Sequence, residues 1–359
     1  MWSSNDGLYI FPTLCILVCA GIAIEGANTV KAKVPALFTF GDSIFDPGNN
    51  DFIPTAVKAN NPPYGRDFMG GKPTGRFSNG KLSPDFISEA LGLKETLPPF
   101  LDPQLTTQDL LTGVSFASAG SGLDNLTAEL ASVIPIWQQV GNFKQYKAHL
   151  ADLVGEKNAS NIIGEAIYLS VTGTNDFGDN YLLLPTRRNQ FSVAQYIDFL
   201  QQTCTTFIED MYNLGARKFG VYGLPPMGCV PLEKTIMGQS ELKGCIEELN
   251  QISVSYNSKL KSALNKLNAR IPGIKVVYID IYYSFLDIVN NPSKYGFEKS
   301  DRGCCGTGLV EIGPTCNAAT PVTCSDASKS VFWDAVHSTE RTYQLTANLV
   351  LQNYISKLL

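Results

Sequence analysis

Ser43 lies in Gly41-Asp42-Ser43-Ile44, directly after the apolar run Val34 to Phe40, and Asp334-Ala335-Val336-His337 stands near the far end of the chain. A serine hydroxyl attacks a carbonyl only when a base takes its proton, and an imidazole oriented by a carboxylate is such a base. The chain has 2 histidines, His149 and His337. Any mechanism that needs an imidazole must draw on one of them. His149 falls in the helical pattern Ile136 to Val154 among Lys144, Lys147 and Asp152, and reads as a solvated helix residue. His337 follows Asp334 by one helical turn's spacing, close enough for the carboxylate to hold the ring in one tautomer. Ser43, His337 and Asp334 are therefore the candidate nucleophile, base and orienter, and the chemistry they point to is acyl transfer. An imidazole base implies activity that rises with pH as the ring loses its proton.

These residues need a scaffold that brings the two ends of the chain together. Five short apolar segments supply it: Val34 to Phe40, Val114 to Ala117, Ala166 to Val171, Phe219 to Tyr222 and Lys275 to Ile281. Between them, apolar residues recur at helical spacing, as over Val193 to Leu214, Glu247 to Leu267 and, at the end, Thr339 to Leu358. Alternating strands and helices predict an α/β fold, a three-layer αβα sandwich with a five-stranded, mainly parallel sheet. Ligands of such sheets bind outside the carboxyl ends of the strands. Ser43, Gly120 and Asn175 each follow a predicted strand and should gather at that edge.

Composition narrows the setting. Apolar residues make up 44% of 359, enough for a large core, and the net charge of −5 with no basic cluster excludes nucleic acid as the natural partner. Residues 1–27 read as a secretory signal, with cleavage expected between 24 and 32; no Lys or Arg precedes its apolar run Leu8 to Ile24. The remainder, 33–359, reads as a single domain with no stable membrane insertion once the signal is removed. Cys15 and Cys19 leave with the signal. Cys229 with Cys245 would close one loop, Cys304, Cys305, Cys316 and Cys324 could make two bridges, and Cys204 is the candidate free thiol. No Cys-x-x-Cys pair or carboxylate cluster accompanies the histidines, so neither a metal nor another cofactor is expected. Asn125-Leu126-Thr127 and Asn158-Ala159-Ser160 are acceptor sequons that would place glycans on Asn125 and Asn158.

Phe40-Gly41-Asp42-Ser43 with Asp46-Pro47-Gly48-Asn49-Asn50, then Phe116 to Gly122, Gly173-Thr174-Asn175-Asp176 and Asp334-x-x-His337 occur in order. Together with Tyr64 to Phe68 and Pro73 to Gly80, these blocks resemble the plant secreted GDSL esterase/lipase family of the SGNH hydrolases. The resemblance implies a flavodoxin-like sheet, a location in the apoplast or cell wall, and a lipid or small acyl ester as substrate, hydrolysed through an acyl-enzyme on Ser43. The oxyanion donors would be the backbone N–H groups of Ser43 and Gly120 and the side-chain amide of Asn175, with Gly122 competing for the place of Gly120. Four positions depart from the family pattern: Ile44, Asp51, Ser115 and Ser338 stand where Leu, Asn, Asn and Pro are usual. The same site would also serve an acyltransferase that hands the acyl group to an alcohol other than water. A non-catalytic binding protein would have no need for all five residues.

Overall fold

The computed structural model describes residues 34–238 and 244–359. The expected signal peptide, with Cys15 and Cys19, lies outside the described residues. Four strands, β1 (Leu37–Gly41), β2 (Ile167–Val171), β3 (Lys218–Tyr222) and β4 (Lys275–Ile279), form a parallel sheet in the order β1-β2-β3-β4. Apolar residues form the majority of each strand because helices cover both faces.

The expected strand Val114 to Ala117 runs beside β1 without becoming a regular strand. The Phe116 and Ser118 N–H groups donate to Thr39 O at 2.8 Å and Gly41 O at 2.9 Å. Its outer edge pairs instead with a loop and a side chain: Ser115 N–H donates to Pro98 O, and Asn49 Nδ2 donates to the carbonyls of Ser115 (2.9 Å) and Ala117 (2.8 Å). Counted with this segment, the spatial order in chain sequence is 2-1-3-4-5, the flavodoxin-like arrangement.

Alternation along the strands sorts the core into two layers. Phe38, Phe40, Tyr168, Phe219 and Val221 point to one face and pack on helices Ile136–Val154, Val193–Asn213 and Glu247–Arg270. Leu37, Ile167, Leu169, Val171 and Ile279 point to the other, under helices Ser83–Ala90 and Glu340–Asn353. The three-layer sandwich follows directly. A second, two-stranded sheet pairs β5 (Lys299–Gly303) with β6 (Ser330–Phe332). It carries the chain into the Asp334–His337 loop.

Disulfides Cys304–Cys324 and Cys305–Cys316 lie beneath that loop, and Cys229–Cys245 closes another. Cys204 is free and buried, and burial pushes its thiol up to about 12. Among the described residues, no helix is long and apolar enough to cross a membrane.

Candidate active site

The turn that carries Ser43 is set by Gly41, the last residue of β1. Its φ is 125°, and a Cβ there would lie 1.8 Å from Val171 O, so no other residue type fits. Gln139, fully buried on the helix Ile136–Val154, clasps this glycine: Gly41 N–H donates to its Oε1 and its Nε2 donates to Gly41 O, both at 2.8 Å. The same Nε2 lies 3.3 Å from Ser121 Oγ, tying the Ser43 turn to the Gly120 block.

Ser43 Oγ lies 2.8 Å from His337 Nε2, and His337 Nδ1 lies 2.9 and 2.8 Å from the two carboxylate oxygens of Asp334. A carboxylate can only accept, so Nδ1 carries the ring proton and Nε2 is left to accept from the serine hydroxyl. Asp334 is pinned from all sides. Its Oδ1 accepts from the N–H groups of Val336 (2.8 Å) and His337 (2.6 Å). Its Oδ2 accepts from the Tyr64 hydroxyl at 2.6 Å, which in turn accepts from Gly313 N–H at 2.7 Å. Burial pushes the Asp334 carboxyl up, but the His337 charge and the hydrogen bonds from His337 and Tyr64 outweigh it and hold the group below its ordinary range. The Phe77 ring packs on His337 with centroids 4.6 Å apart. Ser43 and His337 are 7% and 4% exposed, so their contact is largely shielded from water.

Gly120 and Asn175 line the same cavity as Ser43 and His337. Gly120 adopts φ 81°, and among the described residues neither its N–H nor that of Ser43 has a hydrogen-bond partner. Asn175 donates one amide hydrogen to Ser121 O at 2.8 Å, which fixes the side chain and leaves its second N–H for a ligand. Gly122 has a different neighbour: a Cβ there would fall 2.3 Å from an Asp176 carboxylate oxygen. That carboxylate accepts from the N–H groups of Leu123 and Asp124 and from the Thr127 hydroxyl. The glycine at 122 serves this packing, while Gly120 faces the cavity.

The block after Ser43 is a clamp. Asp46 accepts from the N–H groups of Gly48, Asn49 and Ala119, and Asn50 Nδ2 donates to Ala119 O at 2.9 Å. Ser115, at a position expected to be Asn, donates to Phe45 O at 2.9 Å and accepts from Ala117 N–H. Hence the backbone leading to Gly120 is fixed by Ser43's own neighbours. Two further carboxylates, Asp179 and Glu233, face the cavity. Burial and then the neighbouring Asp179 charge push Glu233 up to about 7, and burial raises Asp179 despite the opposing charge of His337.

The remaining sequence candidates lie elsewhere. Asn125 and Asn158 are exposed, at the start of the helix Asn125–Ala131 and within the helix Glu156–Glu165. His149 is exposed on its helix. Among the described residues, no group of three or more His, Cys, Asp or Glu could hold a metal ion. Tyr64, Gln139 and Asp46 act in the site's support without having been singled out by their chemistry. Tyr64 and Asp46 fall in the sequence blocks quoted above, whereas Gln139 carries no signal beyond its helix.

Comparison with known proteins gives concordant results. Residues 37–350 match the profile of the family described as GDSL-like Lipase/Acylhydrolase. Three Arabidopsis thaliana proteins, each named GDSL esterase/lipase, align over nearly their whole length. One is 48% identical over 341 residues, covering 95% of this chain and 96% of the relative. Another is 46% identical over 342 residues (95% and 97%), and a third is 45% identical over 333 residues (92% and 95%).

Proposed function

The chain belongs to the GDSL-like lipase/acylhydrolase family and is a carboxylic ester hydrolase, and we propose that Ser43, His337 and Asp334 carry out the reaction through an acyl-enzyme. One observation carries this reading: the unbroken hydrogen-bond chain from Ser43 Oγ through the His337 ring to Asp334 and Tyr64. In the proposed sequence, Ser43 Oγ attacks the ester carbonyl as Nε2 takes its proton, and Asp334 stabilises the imidazolium. The N–H groups of Ser43, Gly120 and the Asn175 amide receive the negative charge that develops on the carbonyl oxygen. His337 returns the proton to the leaving alcohol, then activates water to release the acid. Water as the final acceptor agrees with the relatives' names, esterase and lipase.

The protein acts, in this reading, outside the cell as one domain spanning 33–359, with residues 1–27 as its signal and glycans on Asn125 and Asn158. Three disulfides and two exposed sequons support an oxidising, secretory route. The test is hydrolysis of p-nitrophenyl butanoate by the purified protein under pre-steady-state conditions. The expected result is p-nitrophenol release that Ser43→Ala abolishes. A folded Ser43→Ala protein with the wild-type rate would overturn the reading.

A further inference from the structure

The three oxyanion donors assigned above come from three separate segments. Ser43 follows β1, Gly120 follows the segment beside β1, and Asn175 follows β2. Stabilising one oxyanion requires their N–H groups to converge on a single point before the substrate arrives. The strand ladders do not fix that convergence. The last ladder bonds are Asp42 N–H to Val171 O (3.2 Å) and Ser118 N–H to Gly41 O (2.9 Å), and each donor lies beyond them.

Gln139 supplies the tie. It shares a helix stripe with Ile136, Phe143 and Tyr146, where an apolar side chain would pack, yet this fully buried position carries an amide. Its Oε1 accepts from Gly41 N–H and its Nε2 donates to Gly41 O, both at 2.8 Å, just before Ser43. The other N–H of Nε2 is shared between Ser121 Oγ and Ile134 O, each at 3.3 Å. Ser121 in turn governs the remaining donors. Its N–H closes a turn onto Ser118 O at 3.0 Å, with Gly120 inside that turn, and its carbonyl accepts the Asn175 amide at 2.8 Å. One planar amide, with one acceptor atom and two donor hydrogens, thus holds the anchor points of all three segments. Gln139 itself lies outside the walls of the cavity that holds Ser43, His337 and Gly120.

We propose that Gln139 is a positioning residue of the oxyanion hole. Through Gly41 and Ser121 it sets the spacing between the N–H groups of Ser43 and Gly120 and the Asn175 amide, and it touches no substrate. The proposal rests on the ester-hydrolase reading and on the donors assigned in it.

The experiment measures kcat and KM for p-nitrophenyl butanoate, and inhibition by a trifluoromethyl ketone of similar size. Ser43 Oγ adds to the ketone carbon, its proton passes to His337, and the carbonyl oxygen becomes an oxyanion held by the three donors. Gln139→Met keeps the side chain's length and removes its hydrogen bonds. Ser121→Ala removes only the 3.3 Å contact and keeps the carbonyl that holds Asn175. In Gln139→Met, kcat should fall by about 10- to 100-fold and the ketone should bind more weakly by a similar factor, with KM changed by less than about twofold. Ser121→Ala should show the same pattern, with kcat lowered by about threefold. In an Asn175→Ala background the loss caused by Gln139→Met should be at least about threefold smaller, because one of the aligned donors is gone. Unchanged kcat and ketone affinity in whichever of the two variants fold, with only Tm lowered, would reduce Gln139 to packing and overturn the proposal. An equal loss in both backgrounds would also overturn it, since Gln139 would then act on the nucleophile alone. Wild-type turnover, and its loss in Ser43→Ala, tests the underlying reading separately. A wild-type kcat in Asn175→Ala would overturn the donor assignment and the proposal with it.

Discussion

Tyr64→Phe separates what holds the site together from what performs the reaction. The hydroxyl donates to Asp334 Oδ2 at 2.6 Å and accepts from Gly313 N–H at 2.7 Å, in a residue 1% exposed. Removing it deletes a hydrogen bond to a charged acceptor, about 1.5–3 kcal/mol, and leaves a buried N–H unpaired, which costs about 1–3 kcal/mol more. The two losses share one atom and relax together, so a destabilisation of about 3 kcal/mol is expected, or a Tm lowered by roughly 5–10 °C. Asp334 would still accept from Val336 N–H, His337 N–H and His337 Nδ1. The ring therefore keeps its tautomer and position, and kcat should fall by less than about tenfold, against about 10⁴ for Asp334→Asn. Calorimetry and initial rates on one ester measure both quantities. A Tm within 1 °C of wild type would refute the structural role. A kcat loss matching that of Asp334→Asn would place Tyr64 in the chemistry itself.

Two further outcomes follow from the site. Asn175→Ala should lower kcat by about 10²–10³ with little change in KM, since in the proposed role the amide acts on charge that develops only in the transition state; a change confined to KM would contradict this. Burial, opposed by the Ile44 N–H and then by the His337 charge, pushes the Asp42 carboxyl up to about 7, so the folded state holds this proton more tightly than the unfolded chain. The stability this gives is full below the ordinary carboxylate range and is lost as pH rises through about 7, at most about 4 kcal/mol in total. The stability of wild type relative to Asp42→Asn should accordingly fall between pH 4.5 and 7.5 in denaturant titrations, and an equal difference at both values would refute the assignment.

The parts of this fold that were legible in the sequence are those whose local chemistry matches their final surroundings. Apolar runs such as Ile167–Val171, with both faces covered, announce buried parallel strands. The helix Ile136–Val154 has the predicted bounds because its apolar spacing runs up to Gly155, whose φ of 81° suits a glycine. By contrast Lys299–Gly303, Lys-Ser-Asp-Arg-Gly, has no apolar alternation, and forms a strand only because β6 pairs with it. The segment at Val114 looked like a strand and has a strand's bonds on one side, but Asn49, 66 residues away, takes the ladder's place on the other. Ser43, Asp334 and His337 stood out because imidazole is scarce here. Tyr64 did not, since its contact with Asp334 spans 270 residues and a tyrosine's type says nothing of its partner. Gln139 was invisible for a similar reason: it occupies a buried position on a long helix, and its clasp on Gly41 exists only once helix and sheet have packed.

Covalent labelling with a fluorophosphonate, followed by peptide mass mapping, reports directly on whether Ser43 is an activated nucleophile. The reagent needs no knowledge of the natural ester. A single label is expected on Ser43, absent from Ser43→Ala and greatly slowed in His337→Ala. A well-folded wild-type protein that takes no label, or takes it on another serine, would contradict it.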